Sequence, residues 1–334
     1  MLAVGAWQEE MYRSLLGPAA NKVELVTANI QNNSLSRNRW FATEVPQLSR
    51  KFSPSLVHYS FPAPVFRSSF ACPVVVTLHD LYPYDLPANF GFPNYLVNRV
   101  ILRQCLGSVD GIACVSNTTK SRLQEIFPGA ARRAAVEVTG NYVKVSNSGP
   151  EPAGIAERLN GLSFILSVAQ HRKNKNLDIL IRAYARLLKS GRTNCHLLIV
   201  GARGPETERL ATLAKSLDVQ ERTLFWHSIG DVELSWLYKH CKLFAASSSI
   251  EGYCLPVAEA LLHHAKVLCS DIAILRDIAG EQAAYFSLEG DAVEHLATAM
   301  EAALEQPLTA QGLNDRFSEE AVLAAYCRLY ARVC

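Results

Sequence analysis

The sequence predicts an α/β protein with two doubly wound parallel sheets, one in each half of the chain. Short β-rich runs alternate with amphipathic stretches along its 334 residues. Several of these runs are apolar on both faces, as expected for parallel strands covered by helices. Because one ordinary core does not accommodate a chain of this length, two domains are expected.

The predicted strands fall into two groups. The first half contains KVELVTA (22–28), SLVHYS (55–60), PVVVTLHD (73–80) and GIACVS (111–116). The second half contains SFILSVA (163–169), CHLLIVG (195–201), TLFW (223–226), KLFAAS (242–247) and KVLCS (266–270). Between them, apolar residues recur at helical spacing, most clearly from Leu177 to Leu188.

The junction between the halves is predicted at VSNSGPEPAG (145–154), which is rich in Ser, Gly and Pro and lacks periodicity. It separates a first domain, residues 1–146, from a second, residues 155–334. Ligands of doubly wound folds bind beyond the carboxyl ends of the strands, so we expect a substrate in the cleft between the domains.

A doubly wound domain normally begins with a strand and then a glycine turn. The start of this chain departs from that pattern, because Gly5 and a predicted helix follow the N-terminus almost directly. Either the first strand is missing or residues 1–4 are its stub.

Composition excludes several classes of protein. With 49% hydrophobic and 19% charged residues the chain is globular, and a net charge of +2 argues against nucleic acid as a partner. No apolar run approaches the roughly 18 residues of a membrane span, and a signal peptide is not indicated. The nine cysteines show no CxxC spacing, which predicts buried, reduced thiols in a cytosolic protein without a zinc site.

The stretch SSIEGYCLPVAEALL (248–262) places Glu251 and Glu259 around a predicted loop-to-helix junction. Pro256 suits the first helical position, so the amides of residues 252–255 would form a positive helix end that attracts phosphate. Glu259 could accept hydrogen bonds from a diol such as ribose, and Glu251 could reach sugar hydroxyls or a developing cation. Alternatively, both glutamates only favour the helix N-terminus by their charge.

A second motif is basic. After the strand at 163–169, His171, Arg172, Lys173 and Lys175 precede an amphipathic helix. Such a cluster can bind a diphosphate, although a solvated loop would have the same composition.

A third motif places His79 and Asp80 at the end of a strand in the first domain, facing the same cleft. A lone histidine after a strand also commonly has a structural role.

These motifs resemble the retaining glycosyltransferases of family four, which have the GT-B fold of two Rossmann-like domains facing a cleft. The family signature EGFGLPxxEA corresponds to EGYCLPVAEA (251–260). Further matches are KNL (175–177), TxHD at Thr77, His79 and Asp80, VSxxxxxxL at Val115, Ser116 and Leu123, and LRDIAG (275–280). The resemblance covers nearly the whole chain from Gly5 onward.

The resemblance implies transfer of a hexosyl unit, with retention, from a GDP- or UDP-linked sugar to a glycan or lipid-linked glycan. It implies bacterial polysaccharide or lipopolysaccharide synthesis, in the cytoplasm or at the inner face of the membrane. No metal or other cofactor is expected, since the sequence contains no Asp-x-Asp motif.

The resemblance also assigns roles to residues of both domains. His79 and Glu251 would be catalytic, and Gly5 would lie in an acceptor- or phosphate-binding loop. The donor would be bound by Arg172, Lys175, Gly252, Tyr253, Cys254, Leu255 and Glu259, with Glu259 on the ribose and the two cations on the diphosphate.

The chain departs from the family pattern at three places. Gln170 replaces the usual arginine of the basic loop, so the phosphate cation must come from His171 or Arg172. Cys254 replaces a glycine of the signature, and Asn141–Tyr142 replaces an Asn-Gly pair. These departures leave room for an inactive or altered enzyme.

Two other classes of function therefore stay open. A nucleotide-sugar epimerase would need no acceptor, and a non-catalytic subunit would bind a nucleotide sugar without turnover. A nicotinamide dehydrogenase is disfavoured because no GxGxxG follows a strand.

A lipid-linked acceptor would require a basic, apolar surface on the first domain. SRNRWF (36–41) and NYLVNRVILRQCL (94–106) are candidates, the alternatives being a loop and an ordinary core helix.

Overall fold

The computed structural model describes residues 1–143, 152–306 and 317–334, and it confirms the predicted α/β class. All strand pairs in these ranges are parallel. The predicted junction at 145–154 lies outside the described residues except for 152–154, so the domain boundary stays a prediction.

The described part of the first half contains six strands. They are β1 (Leu2–Gly5), β2 (Leu25–Ala28), β3 (Val57–Tyr59), β4 (Val74–Leu78), β5 (Gly111–Cys114) and β6 (Ala135–Val138). β1 and β2 pair with each other, and the other four form a sheet of order β3-β4-β5-β6. A strand is thus present where the sequence offered residues 1–4 as a stub.

Six helices accompany these strands. They are α1 (Glu9–Leu16), α2 (Ser34–Phe52), α3 (Tyr82–Asp85), α4 (Asn94–Leu106), α5 (Asn117–Ile126) and α6 (Pro128–Arg133). The starts of α2 and α5 are fixed by N-caps, because Asn33 accepts from the Ser36 amide and Ser116 accepts from the Thr119 amide.

The second half contains a six-stranded sheet of order β12-β11-β10-β7-β8-β9. The strands are β7 (Phe164–Val168), β8 (His196–Val200), β9 (Thr223–Trp226), β10 (Leu243–Ala246), β11 (Val267–Ser270) and β12 (Ala283–Phe286). The helices are α7 (Ala153–Leu159), α8 (Leu177–Lys189), α9 (Thr207–Ser216), α10 (Asp231–His240), α11 (Leu255–Leu262), α12 (Ala273–Ala279), α13 (Ala292–Glu305) and α14 (Glu319–Ala331). The order reverses between β7 and β10, where doubly wound folds bind their ligands.

Apolar cores cover both faces of this second sheet. The periodicity of α8 buries Leu180, Ile181 and Tyr184 on one face, together with Leu197 of β8 and Leu243 of β10. The opposite face buries a separate cluster that includes α11 and α12. The sheet is therefore rigid, and the loops at its carboxyl edge are held in place by buried strands.

The helix α14 packs on the first sheet, although it lies within the residues predicted for the second domain. Leu329 is buried against Val75 and Ala113 of β4 and β5. His58 joins the contact: its Nδ1 lies 2.7 Å from the Tyr330 hydroxyl, and its Nε2 lies 2.8 Å from the Thr77 hydroxyl. The chain therefore crosses between the sheets twice.

The cysteines are all free, and the prediction that they are core residues is only partly right. Cys105, Cys114, Cys241 and Cys269 are buried, whereas Cys327 and Cys334 are exposed.

Candidate active site

The signature motif occupies the loop between β10 and α11. The helix begins at Leu255, so Pro256 takes the second helical position rather than the first expected one. Cys254 is the N-cap and has a left-handed backbone, with φ at 66°. The unpaired amides of the first helical turn carry the positive end of the helix dipole.

The basic loop between β7 and α8 packs directly on the signature loop. The Asn174 side-chain amide donates to the Ile250 carbonyl at 3.1 Å, and the Ser249 amide donates to the Asn174 carbonyl at 2.8 Å. The Ser247 hydroxyl donates to the Lys175 carbonyl at 2.8 Å. These bonds fix the two loops relative to each other.

The two loops meet at an ion pair. Lys175 Nζ lies 2.6 Å from Glu251 Oε1, and the side chain of Glu251 is only 5% exposed. The other carboxylate oxygen of Glu251 accepts from the Tyr82 hydroxyl of the first domain at 3.3 Å. A buried carboxylate is thus held by one group from each side of the cleft.

Glu259 lies half-buried in the first turns of α11. Its Oε2 accepts from the Tyr238 hydroxyl of α10 at 2.8 Å. Burial raises the pKa of Glu259, and the Tyr238 hydrogen bond partly opposes that shift. Oε1 has no hydrogen-bond partner among the described residues and can accept from a ligand hydroxyl.

Gly252 is one of the points at which the two domains touch. A β-carbon there would lie 2.1 Å from the His79 carbonyl oxygen, so only glycine fits. The Gly252 carbonyl accepts from the Ser116 hydroxyl at 2.9 Å and from the Thr119 hydroxyl at 3.3 Å. The signature loop is therefore fixed against the carboxyl edge of the first sheet.

His79 and Asp80 lie at that edge, as the strand prediction required. His79 is exposed, and its Nε2 donates to the Ser60 carbonyl at 2.8 Å. Asp80 accepts from the Tyr82 amide at 2.9 Å, and burial raises the pKa of its carboxyl group. His79 is thus beside Gly252 with one ring nitrogen already bonded.

The structure distinguishes between the two candidates for the phosphate cation. His171 is 0% exposed, its Nδ1 lies 3.0 Å from the Thr207 hydroxyl, and burial lowers its pKa. It is therefore neutral at pH 7. Arg172 is half-exposed, and its guanidinium has no ion pair among the described residues. Arg172 is the cation available to a ligand.

The three residues after Gly252 differ in their contacts and in their exposure to solvent. The Tyr253 hydroxyl donates to the Asn141 carbonyl at 3.3 Å, and Leu255 is 41% exposed. Cys254 is partly buried against the core beneath the loop, and burial raises the pKa of its thiol well above the usual range. The charges of Glu251 and Lys175 also act on this thiol, so the substituted side chain lies close to the ion pair of the site.

Gly5 ends β1, and its immediate neighbourhood is occupied by Trp7. A β-carbon at Gly5 would lie 2.5 Å from the Trp7 ring. The Gly5 amide donates to the Gln8 side chain at 3.2 Å. Among the described residues, Gly5 forms no hydrogen bond with the loops of the second domain.

The sequence did not single out Tyr82, Asn174 or Tyr238. Tyr82 follows His79 and Asp80 closely, and Asn174 lies inside the basic motif, so both had a local signal. Tyr238 had none, because its role depends on how α10 packs beside α11.

A cavity of about 480 Å³ adjoins Glu251 between the domains, with Asp85 and Arg122 in its wall.

Among the described residues, no group of three or more His, Cys, Asp or Glu side chains is arranged to hold a metal ion. Over the same ranges, no helix combines the length and the apolar character that a bilayer span needs.

Models of known protein families match both halves of the chain. Residues 156–322, half of the chain, match the family described as glycosyl transferases group 1. The chain belongs to this family. Residues 16–147 of the glycosyltransferase match the model described as Glycosyltransferase Family 4.

Two curated relatives illustrate the range of the family. The glycosyltransferase is 24% identical over 210 residues to O-antigen chain mannosyltransferase B of Escherichia coli, covering 62% of this chain and 55% of the relative. It is 30% identical over 182 residues to the N-acetylgalactosamine-N,N'-diacetylbacillosaminyl-diphospho-undecaprenol 4-alpha-N-acetylgalactosaminyltransferase of Campylobacter jejuni, covering 53% and 46%. The matched region thus spans about half the length of these relatives.

Solved structures show the same fold. WaaG, a glycosyltransferase involved in lipopolysaccharide biosynthesis, matches with a TM-score of 0.68 at 19% identity, over 99% of this chain and 95% of that chain. Anabaena HepE in complex with UDP and glucose matches with a TM-score of 0.64 at 18% identity, over 99% and 87%. Both neighbours support the GT-B architecture of the glycosyltransferase.

Proposed function

We propose that this glycosyltransferase moves a hexosyl unit from a nucleoside diphosphate sugar to a glycan or lipid-linked glycan, with retention and without a metal ion. The observation that carries the proposal is the Lys175–Glu251 pair at 2.6 Å. It brings the basic loop and the signature loop together at the start of α11, beside the first domain. Diphosphate and sugar would then meet at one point.

The donor diphosphate would lie between Arg172, Lys175 and the amides that precede α11. Lys175 has three N–H donors, and only one is used on Glu251. The other two and the unpaired guanidinium of Arg172 can bind phosphate oxygens. Glu259 would accept from a ribose hydroxyl through Oε1, because Tyr238 holds its Oε2.

Catalysis would follow from this placement of charge. The bond between the anomeric carbon and the diphosphate oxygen breaks, and the leaving group gains negative charge that Lys175, Arg172 and the helix amides stabilise. The acceptor oxygen bonds to the same face of the anomeric carbon, and its proton passes to a phosphate oxygen of the leaving group. Glu251 and His79 would orient the sugar.

The relatives support this class of donor and acceptor. HepE was solved with UDP and glucose, which is consistent with a nucleotide sugar at this fold's cleft. The Campylobacter jejuni relative acts on an undecaprenol-linked glycan by its name, and the Escherichia coli relative is a mannosyltransferase. GDP- and UDP-linked hexoses are therefore the first donors to test.

A lipid-linked acceptor would also bring the enzyme to a membrane surface. Of the two candidate segments, 36–41 contributes Trp40 to the core, with 5% exposure, so its largest apolar group is unavailable. The helix α4 exposes Leu96, Val97 and Val100 while burying Leu102. Its first half is the surface that we propose for peripheral membrane contact.

The proposal is tested by a thermal-shift screen against GDP-, UDP- and ADP-sugars, followed by product analysis. One donor should raise the melting temperature, because a ligand that binds only the folded state stabilises it. Lys175→Ala should weaken donor binding by about tenfold or more, since it removes a charge-assisted phosphate contact. Lys189→Ala, an exposed lysine at the far end of α8, is the matched control. Equal donor affinity in Lys175→Ala and the parent would refute the site.

Product analysis separates the rival functions. Epimerised sugar from donor alone would indicate an epimerase, and tight donor binding without any turnover across acceptors would indicate a non-catalytic subunit. Transfer to an added acceptor is the expected result.

Metal independence is tested by adding a chelator to the transfer assay. We expect unchanged activity, because cations of the protein stabilise the leaving group in this proposal. Complete loss of activity, restored by a divalent cation, would show that a metal ion supplies that charge.

A further inference from the structure

A second cavity lies in the second domain, at the edge of the sheet where β8, β10 and β11 begin. Its volume is about 580 Å³, and the described residues of its wall include Arg192, Lys239, His240, Lys242 and Lys266 but no carboxylate. The donor loops lie at the opposite, carboxyl edge of the same sheet. This cavity is therefore separate from the candidate active site.

The positive charge of this cavity is largely uncompensated. Arg192 pairs with Glu301, but Lys239, Lys242 and Lys266 have no ion pair among the described residues. Three lysines in the wall of one cavity are thus without a carboxylate partner among the described residues.

Lys266 is the best-fixed of the three. Its Nζ donates to the Ala303 carbonyl at 2.5 Å and to the Gln306 carbonyl, at the C-terminal end of α13. The third N–H of the ammonium group is left without a partner in the described residues. Burial, and then the charge of nearby Lys242, lower the pKa of Lys266. A bound anion would favour the charged form of Lys266 and oppose this lowering of its pKa.

The negative ends of nearby helices compensate only part of the positive charge of this cavity. The C-termini of α10 and α13 face the cavity, and each carries roughly half a negative elementary charge. Two helix ends therefore balance about one of the three ammonium groups. The remaining positive charge requires an external anion or stays exposed to solvent.

We propose that this cavity binds a phosphate-bearing ligand through Lys239, Lys242 and Lys266. Lysines suit phosphate as point charges, and three of them favour a ligand with more than one negative charge. The phosphate can belong to a soluble compound or to a lipid headgroup. The inference does not depend on the proposed transfer reaction.

The test titrates the full chain with tripolyphosphate and, separately, with phosphatidylcholine vesicles with and without phosphatidic acid. Calorimetry and vesicle co-sedimentation measure the two arms. Lys239→Glu combined with Lys242→Glu should weaken binding by about tenfold or more, because attraction becomes repulsion. Both lysines are exposed, so the fold should survive. Lys215→Glu, which changes an exposed lysine of α9, is the control for a charge change elsewhere.

The outcomes are distinct. A response to tripolyphosphate alone assigns the cavity to soluble phosphates, and a response to phosphatidic acid vesicles alone assigns it to a lipid headgroup. Binding must also persist in Lys175→Ala, because that variant alters only the donor site. No response to either probe, or equal responses in the charge-reversed protein and the parent, overturns the proposal.

Discussion

At the scale of single residues, Cys254 places a side chain in a backbone conformation that favours glycine. The backbone is left-handed there, with φ at 66°, which strains any residue that has a β-carbon. The cysteine adopts this strained conformation and is partly buried, with its side chain packed against the core beneath the loop.

This interpretation predicts an ordering of two variants. Cys254→Gly and Cys254→Ala both remove the buried thiol, but only glycine also relieves the left-handed strain. We expect Cys254→Gly to be more stable than Cys254→Ala by about 1 kcal/mol in denaturant unfolding. An alanine variant as stable as the glycine variant would show that the backbone at this position is not strained.

Gly252 yields a second prediction at this scale. Gly252→Ala would place a methyl group 2.1 Å from the His79 carbonyl oxygen, so the loop or the domain must move. Donor affinity should fall about tenfold or more, because the loop that carries Glu251 is displaced. Binding calorimetry measures the loss. Gly129→Ala, which meets no atom within 4 Å, is the control.

At the scale of elements, burial decided which strands the sequence could predict. β4, β5 and β8 are buried along their whole length, and their apolar runs were visible. β6 and β12 were missed because Glu137 and alanines interrupt their apolar pattern.

The same distinction applies to the candidate site. Glu251, Glu259 and Lys175 belong to local motifs, so sequence reasoning could find them. Tyr82 and Tyr238 act through contacts across elements, which depend on packing and leave no periodic signal. The neutrality of His171 was also hidden, because it follows from burial rather than from residue type.

The attachment of α14 gives an element-scale prediction about pH. Burial lowers the pKa of His58 from 6.5 to about 4, so His58 is neutral when folded. The unfolded chain binds a proton below pH 6.5, whereas the folded chain does so only near pH 4. Stability is therefore present above pH 6.5 and is lost as pH falls toward 4, by roughly 3 kcal/mol from this residue.

His58→Gln should remove this contribution while keeping a hydrogen-bonding side chain. Free energies of unfolding measured between pH 4 and pH 7 should fall less steeply for the variant than for the parent. Identical slopes would mean that His58 is not buried against Tyr330 and Thr77. Other buried histidines, such as His171, titrate equally in both proteins and cancel in the comparison.

At the scale of the whole molecule, the two domains are held together by side chains that also belong to the site. Glu251 receives Lys175 from its own domain and Tyr82 from the other. Any change in the separation of the domains must break the Tyr82 contact and the Ser116–Gly252 bond. Donor binding and the closure of the cleft are therefore coupled through these side chains and the Gly252 carbonyl.

The return of α14 to the first sheet also constrains the order of assembly during translation. Val75 and Ala113 lack their covering side chain, Leu329, until residues 319–331 have been synthesised. The first domain is thus synthesised first but completes its packing last. A ribosome-bound fragment that ends before α14 would expose an apolar strip, and chaperones would recognise it there.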